Sequence, residues 1–269
     1  MDINDYNPEG SVLRNAQLRM LHILEVVDQI CREEGIPYWM DAGTLLGAVR
    51  HKGFIPWDDD LDICILRKDF HRFRKAALSK LPPDLAYQDW TTDKNHFEMS
   101  PRIRDRKSLF DQPESRFQKY RGLFLDVILV ERVPSMRFKQ FVAFFYSRVS
   151  REIHNFGLTS DITPFRRKLN KSLAYLAWLP TELLLCFARF IAALTRSDIL
   201  SRYYSNWPAP RCLSDIFPCK ELEFEGKMFS APADPDAYLK KQFGDYWKLP
   251  PESERTGHHC SITFLDSTV

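Results

Sequence analysis

Residues 53–63 read GFIPWDDDLDI and run on into CIL, so Asp58, Asp59, Asp60 and Asp62 crowd the mouth of an apolar strand pattern. Like charges at the edge of a core are tolerated only where something offsets their repulsion. This stretch therefore reads as a strand that starts at a site. Alternation along a strand puts Asp60 and Asp62 on one face, with Leu61 and Ile63 on the other. Two carboxylates about 6 to 7 Å apart repel, and one is driven toward protonation unless a cation lies between them. Mg²⁺ or Mn²⁺, hard ions that take carboxylate oxygens together with substrate phosphates, answers that need. Asp58 and Asp59 read equally well as turn residues that bond local backbone. An EF-hand is excluded, because its sixth position would be Ile63 where glycine is required and its twelfth Asp69 where glutamate is.

A second apolar run, GLFLDVILVERV over residues 122–133, carries one acid near its centre, Asp126. A core strand has little use for a lone carboxylate, so Asp126 reads as a third metal ligand or as the base for an acceptor hydroxyl. Upstream, IPYWMDA reads as a strand and TLLGAVRHK as a short helix, with Gly43 and Thr44 at the junction. Backbone N–H groups and a hydroxyl at a helix start can meet a phosphate, although the stretch is neither a Walker sequence nor GxGxxG. Arg50, His51 and Lys52 add positive charge at the helix end. In SPRIRDRKSLF, alternation sends Arg102, Arg104 and Arg106 to one face, and Arg102 or Arg104 is a candidate fork for a phosphate group. Near the end, GHHC brings His258 and His259 beside Cys260, a set too small for a zinc site without a fourth ligand.

The rest of the chain frames these motifs. Helical spacing covers residues 11–34 after a Ser11 cap, and again 69–80, and runs through 138–204. The expected organisation is a core with its N-terminal helix over 1–133, a helical lobe over 134–220, and a segment over 221–269 that packs back on the core. A net charge of +2 in 269 residues excludes a dedicated nucleic-acid binder, yet residues 132–171 hold nine Lys or Arg against two acids. Six cysteines without CxxC spacing, and an acidic N-terminus without a signal-peptide pattern, read as a cytoplasmic protein. The most apolar stretch, 172–194, contains Pro180, Glu182 and Arg189, which argues against a span. It is expected to form a buried helix pair; the second reading lays 166–194 against the inner face of the plasma membrane.

The run YWMDAGTLLGAVRHKGFIPWDDDLDI, with RGLFLDVI and the late YLKKQFGDYWKLPP, resembles the LicD family of phosphocholine and fukutin-related ribitol-phosphate transferases. The resemblance covers residues 13–133 and 222–259 and departs after Asp126, where VILVERVP replaces an IDIFPLD-like ending. It implies an α/β (α+β) fold: a nucleotidyltransferase-like core with a mixed sheet, plus the helical lobe. Gly43 and Thr44 then match the glycine–hydroxyl turn, Asp60 and Asp62 the metal pair, and Asp126 the third carboxylate. His258 would belong to the substrate pocket. The implied reaction is attack by a glycan hydroxyl, free or lipid-linked, on a CDP-linked alcohol, with release of CMP. Phosphocholine stands first among the alcohols. A sugar-nucleotide glycosyltransferase with a DxD pair and a non-catalytic glycan-binding relative are the alternatives.

Overall fold

The computed structural model describes residues 6–96, 98, 100–112, 115–154, 164–205, 207–257 and 261–266. The chain forms two compact units, one of Met1–His96, Ser100–Leu129 and Asp215–Val269, the other of Phe97–Met99 and Val130–Ser214.

In the first unit, α1 (Val12–Glu33) starts where the Ser11 hydroxyl accepts from the Arg14 N–H at 3.1 Å. Its apolar stripe buries Met20, Ile23, Leu24, Val27 and Ile30, and it stops before Gly35, whose φ of +60° suits glycine. There follow β1 (Tyr38–Met40), α2 (Ala42–His51), β2 (Asp62–Leu66), α3 (Phe70–Lys80), β3 (Leu85–Gln88), β4 (Arg102–Asp105), β5 (Ser108–Asp111) and β6 (Phe124–Arg132).

The strands form a mixed sheet in the order β1-β2-β6-β4-β3, the α/β arrangement expected. β1 pairs antiparallel with β2, and β4 with both β3 and β6. The order sets β2 and β6, the strands that carry Asp62 and Asp126, side by side in the middle of the sheet. The strand starts two residues later than alternation suggested, so Asp60 lies in irregular chain ahead of β2. Pro56 and the run of aspartates are poor strand formers, which keeps the ladder from extending back through them.

The second unit begins with the last residues of β6. α4 (Met136–His154) and α5 (Pro164–Leu194) follow, then β7 (Ile199–Ser201) and β8 (Arg211–Cys212). Helical pattern was expected as far as residue 204, but the chain leaves the helix at Leu194 and returns as a strand along Glu131 and Arg132. Val133, Val142, Leu185, Ala188 and Tyr203 make the core of this unit. Arg189 forks onto Glu131 at 2.6 and 2.9 Å. α5 runs on through Pro180, whose exposed position directs the missing N–H bond away from the core. A wholly buried helix pair is not what forms. Leu176, Leu183 and Phe190 of α5 are exposed by 75, 62 and 58%.

A short helix, α6 (Leu213–Ile216), leads back to the first unit. There β9 (Lys220–Phe224) and β10 (Lys227–Ala231) form a hairpin whose second strand packs beside β1. α7 (Pro235–Phe243) starts at the Asp234 cap and packs on α2, and β11 (Ser261–Phe264) pairs with β5.

Candidate active site

The turn between β1 and α2 is stitched to the start of β2. The Asp41 N–H donates to the Asp62 carbonyl at 3.1 Å, and the Thr44 hydroxyl accepts from the Asp62 N–H at 2.8 Å. Thr44 is buried, so its oxygen fixes where β2 begins and where Asp62 points. Gly43 allows the next approach: a Cβ there would lie 2.7 Å from Asp58 Oδ2 and 3.9 Å from Asp60 Oδ1. The glycine thus admits carboxylates, where a phosphate was expected, against the first turn of α2. Ala42 holds a left-handed φ of +45°, which costs a non-glycine residue roughly 1 kcal/mol and is a conformation met at functional turns.

Asp126 enters from β6. Its N–H donates to the Leu61 carbonyl at 2.8 Å, which sets it beside the residue between Asp60 and Asp62. Burial drives the Asp62 carboxyl well above the usual carboxylate range, and Asp60, Asp126, Asp41 and Asp58 push it further in that order. Five carboxylates therefore share one field. Arg102 brings a cation to Asp126: its Nε donates to Oδ1 at 2.6 Å and its Nη2 donates to Oδ2 at 3.3 Å. The register of β4 on β6 makes that fork, pairing Arg102 with Asp126 and Arg104 with Phe124, and both guanidiniums also lie near the Phe124 ring, at 3.9 and 4.6 Å. No three His, Cys, Asp or Glu side chains among the described residues form a ready metal cluster. The carboxylates sit within electrostatic reach without closing on one point.

The other basic candidates lie elsewhere. Arg104 is fully buried and donates to Gln88, to the Gly122 carbonyl and to Gln118 at 2.7 to 3.0 Å, so it binds the sheet together. Arg50 donates to the Tyr246 carbonyl and to His51 Nε2, both at 3.0 Å. Burial lowers the pKa of Arg50, and Arg255 lowers it further, while burial and Arg50 bring His51 down to about 4. Lys52 pairs with Glu223 of the β9–β10 hairpin at 3.3 Å. At 1.5 Å per residue it stands about 14 Å along α2 from Gly43, too far along the helix to share its turn. Arg106 reaches the Pro83 carbonyl. His258 lies outside the described residues.

Of three further residues at the site, Asp41 was not picked out in the sequence, and Asp58 and Asp59 were left with their role open. Asp41 is fully buried at the α2 cap position, yet makes no capping bond. Instead its carboxylate accepts from the Tyr238 hydroxyl at 2.5 Å, from Gln242 Nε2 at 3.2 Å and from the Cys64 thiol at 3.2 Å. The signal was the i, i+4 spacing of Tyr238 and Gln242, which puts both on one face of α7. Asp58, equally readable as a turn residue, faces Gly43. Asp59 is buried against Gly257, where a Cβ would come within 2.9 Å of its carboxylate.

Residues 35–148 match the domain described as LicD/FKTN/FKRP, nucleotidyltransferase domain, and so take in every carboxylate of the cluster. The chain is 25% identical to the lipopolysaccharide cholinephosphotransferase LicD of Haemophilus influenzae, across 94% of this chain and 98% of that protein. A short stretch of 35 residues is 51% identical to the human ribitol 5-phosphate transferase FKRP, covering 13% of this chain and 7% of that protein. A further 68 residues, 25% of this chain and 14% of the relative, are 31% identical to the mouse ribitol-5-phosphate transferase FKTN. The segment that carries Gly43, Asp60, Asp62 and Asp126 thus lies within the match to the LicD/FKTN/FKRP nucleotidyltransferase domain, and the chain is similar along nearly its whole length to a LicD-type phosphotransferase.

Proposed function

We propose that this enzyme moves a phospho-alcohol, phosphocholine first among the candidates, from a CDP-linked donor to a hydroxyl of a cell-surface glycan precursor, and releases CMP. The observation that carries the proposal is the shared field of Asp41, Asp58, Asp60, Asp62 and Asp126, which raises the Asp62 carboxyl. Stored repulsion of this kind is relieved by a divalent cation, and Asp60, Asp62 and Asp126 are the residues to hold Mg²⁺ or Mn²⁺. Such an ion supplies charge neutralisation at a pyrophosphate and orients it.

The chain's own residues divide the remaining work. Thr44 and the Asp41 N–H fix Asp62. Arg102 grips both oxygens of Asp126, which suits a fixed ligand better than a proton acceptor. Phosphoryl transfer passes through a loose transition state and asks for positioning more than for a strong base, so a site without a dedicated base is adequate. Arg104, engaged with the sheet, is left out of the donor contacts, and so is Arg50, which is held by the Tyr246 carbonyl and His51. Gly43 shapes the turn. A nucleotide donor places the reaction on the cytoplasmic side, in keeping with the free thiols of the described cysteines.

The test is a panel of CDP-choline, CDP-ribitol and CDP-glycerol with lipopolysaccharide or teichoic-acid acceptors, scored by CMP release with and without EDTA. CMP from one donor, abolished by EDTA and restored by Mg²⁺ or Mn²⁺, is the expected outcome. Release of UDP or GDP from a sugar nucleotide would convict the reading and favour the glycosyltransferase.

A further inference from the structure

We infer that the second unit lays the outer face of α5, together with the phenylalanine end of α4, in the plane of an anionic lipid surface. The inference stands apart from the reading of the carboxylate cluster.

From Leu169 to Leu194 the exposed residues described on α5 include no charge. Leu169, Leu176, Leu183 and Phe190 recur every seven residues and so share one side of the helix. From Leu169 to Phe190 that side is about 32 Å long at 1.5 Å per residue. Soluble monomers rarely leave so large an apolar strip facing water. The helix is long and apolar enough to cross a membrane by length and composition, but its other side is taken: Leu185, Ala188 and Ala192 are buried, and Arg189 is forked onto Glu131. One free face with half-buried charges on its flank fits a helix lying in an interface, not one surrounded by lipid.

Charge decides the occupant. On α4, the exposed Phe141, Phe144 and Phe145 lie between the exposed Arg137 and Arg148, and the Arg148 guanidinium sits 4.7 Å above the Phe144 ring. Aromatic rings beside arginines suit the boundary between acyl chains and phosphate headgroups. Residues 130–214 hold 13 Lys or Arg against 5 Asp or Glu, net +8, while the rest of the chain is net −6. A second copy meeting the first along this face would set +8 against +8. An anionic bilayer meets it with the opposite sign.

The experiment is flotation of the full chain with vesicles of phosphatidylcholine alone or mixed with phosphatidylglycerol. The chain is expected to float with the mixed vesicles and poorly with the neutral ones. Binding should weaken as salt rises from about 0.1 to about 1 M, where the screening length falls from about 10 to about 3 Å. The triple variant Leu176→Glu, Leu183→Glu, Phe190→Glu changes exposed positions only. It is expected to keep its thermal melt and to lose binding by about tenfold or more. The inference is overturned if the parent floats with neither vesicle, if it floats equally with both, or if the variant floats as the parent does. It is also overturned if the parent is a dimer in vesicle-free solution that the three glutamates convert to a monomer.

Discussion

Replacing Gly43 with alanine separates the two roles a glycine can have in this turn. A helical glycine exchanged for alanine ordinarily stabilises by about 0.5 to 1 kcal/mol, through helix propensity and a less flexible unfolded chain. Here the added Cβ would stand 2.7 Å from Asp58 Oδ2, whereas ordinary contact begins at 3.4 Å, so the carboxylate must retreat by about 0.7 Å. The atom that moves is the end of a side chain and not backbone, so stability should change by less than about 1 kcal/mol in either direction. A displacement near 1 Å within a catalytic constellation costs about 10²-fold in rate. Turnover is therefore expected to fall by about 10- to 100-fold while the melting temperature stays within a few degrees. The assay is initial-rate CMP release at several donor concentrations beside a thermal melt. Full turnover with an unchanged melt would refute the claim that Gly43 positions the carboxylate cluster.

Three further outcomes follow from neighbouring residues. Gly47→Ala reverses the propensity rule, because its Cβ would lie 2.4 Å from the Gly53 carbonyl oxygen; a loss of roughly 1 to 3 kcal/mol is expected by denaturant unfolding, where propensity alone predicts a gain. Tyr238→Phe removes the hydroxyl that donates to Asp41 and accepts from Trp39 Nε1 at 3.1 Å, so the buried indole N–H loses its acceptor while Asp41 keeps Gln242 and Cys64, and the urea midpoint should drop by an amount equivalent to about 1 to 3 kcal/mol. His96 is buried and bonded to the Ser100 carbonyl, and burial lowers its pKa from 6.5 to about 4. The unfolded chain takes up that proton first as the pH falls, so stability should be whole above about pH 6.5 and decline by up to about 3 kcal/mol between pH 6.5 and 4. His96→Gln should make that limb shallower and leave the share due to His51, which is lowered likewise to about 4; an equal decline in the variant would remove His96 as a cause.

The elements were legible where local pattern and tertiary demand agree. The stripe of α1, the Ser11 cap and the apolar β6 that carries Asp126 all appear as periodicity predicts, because each buries the face its pattern marks. Asp60 was legible as a partner of Asp62 but not in its geometry: strand alternation was extended two residues beyond the ladder. Arg102 and Arg104 share a strand face and were equivalent in sequence. Only the pairing of β4 with β6 separates them, sending one to Asp126 and the other into the sheet. Asp41 was missed because the spacing that marks Tyr238 and Gln242 as one helix face does not say what they meet about 200 positions away. The outer face of α5 was misjudged because an apolar helix looks alike whether protein or another surface covers it, and the choice depends on a neighbour that periodicity does not name.

The account stands on the carboxylates around Asp62, and Asp62→Asn tests it most directly. The change keeps the shape of the side chain and removes the charge that Asp60, Asp126, Asp41 and Asp58 oppose. In metal-free buffer the variant should therefore melt no lower than the parent, and CMP release at saturating Mg²⁺ should fall by about 10³-fold or more. A variant that is less stable without metal, or that releases CMP within a few-fold of the parent, would contradict the assignment of this cluster as the metal-binding catalytic centre.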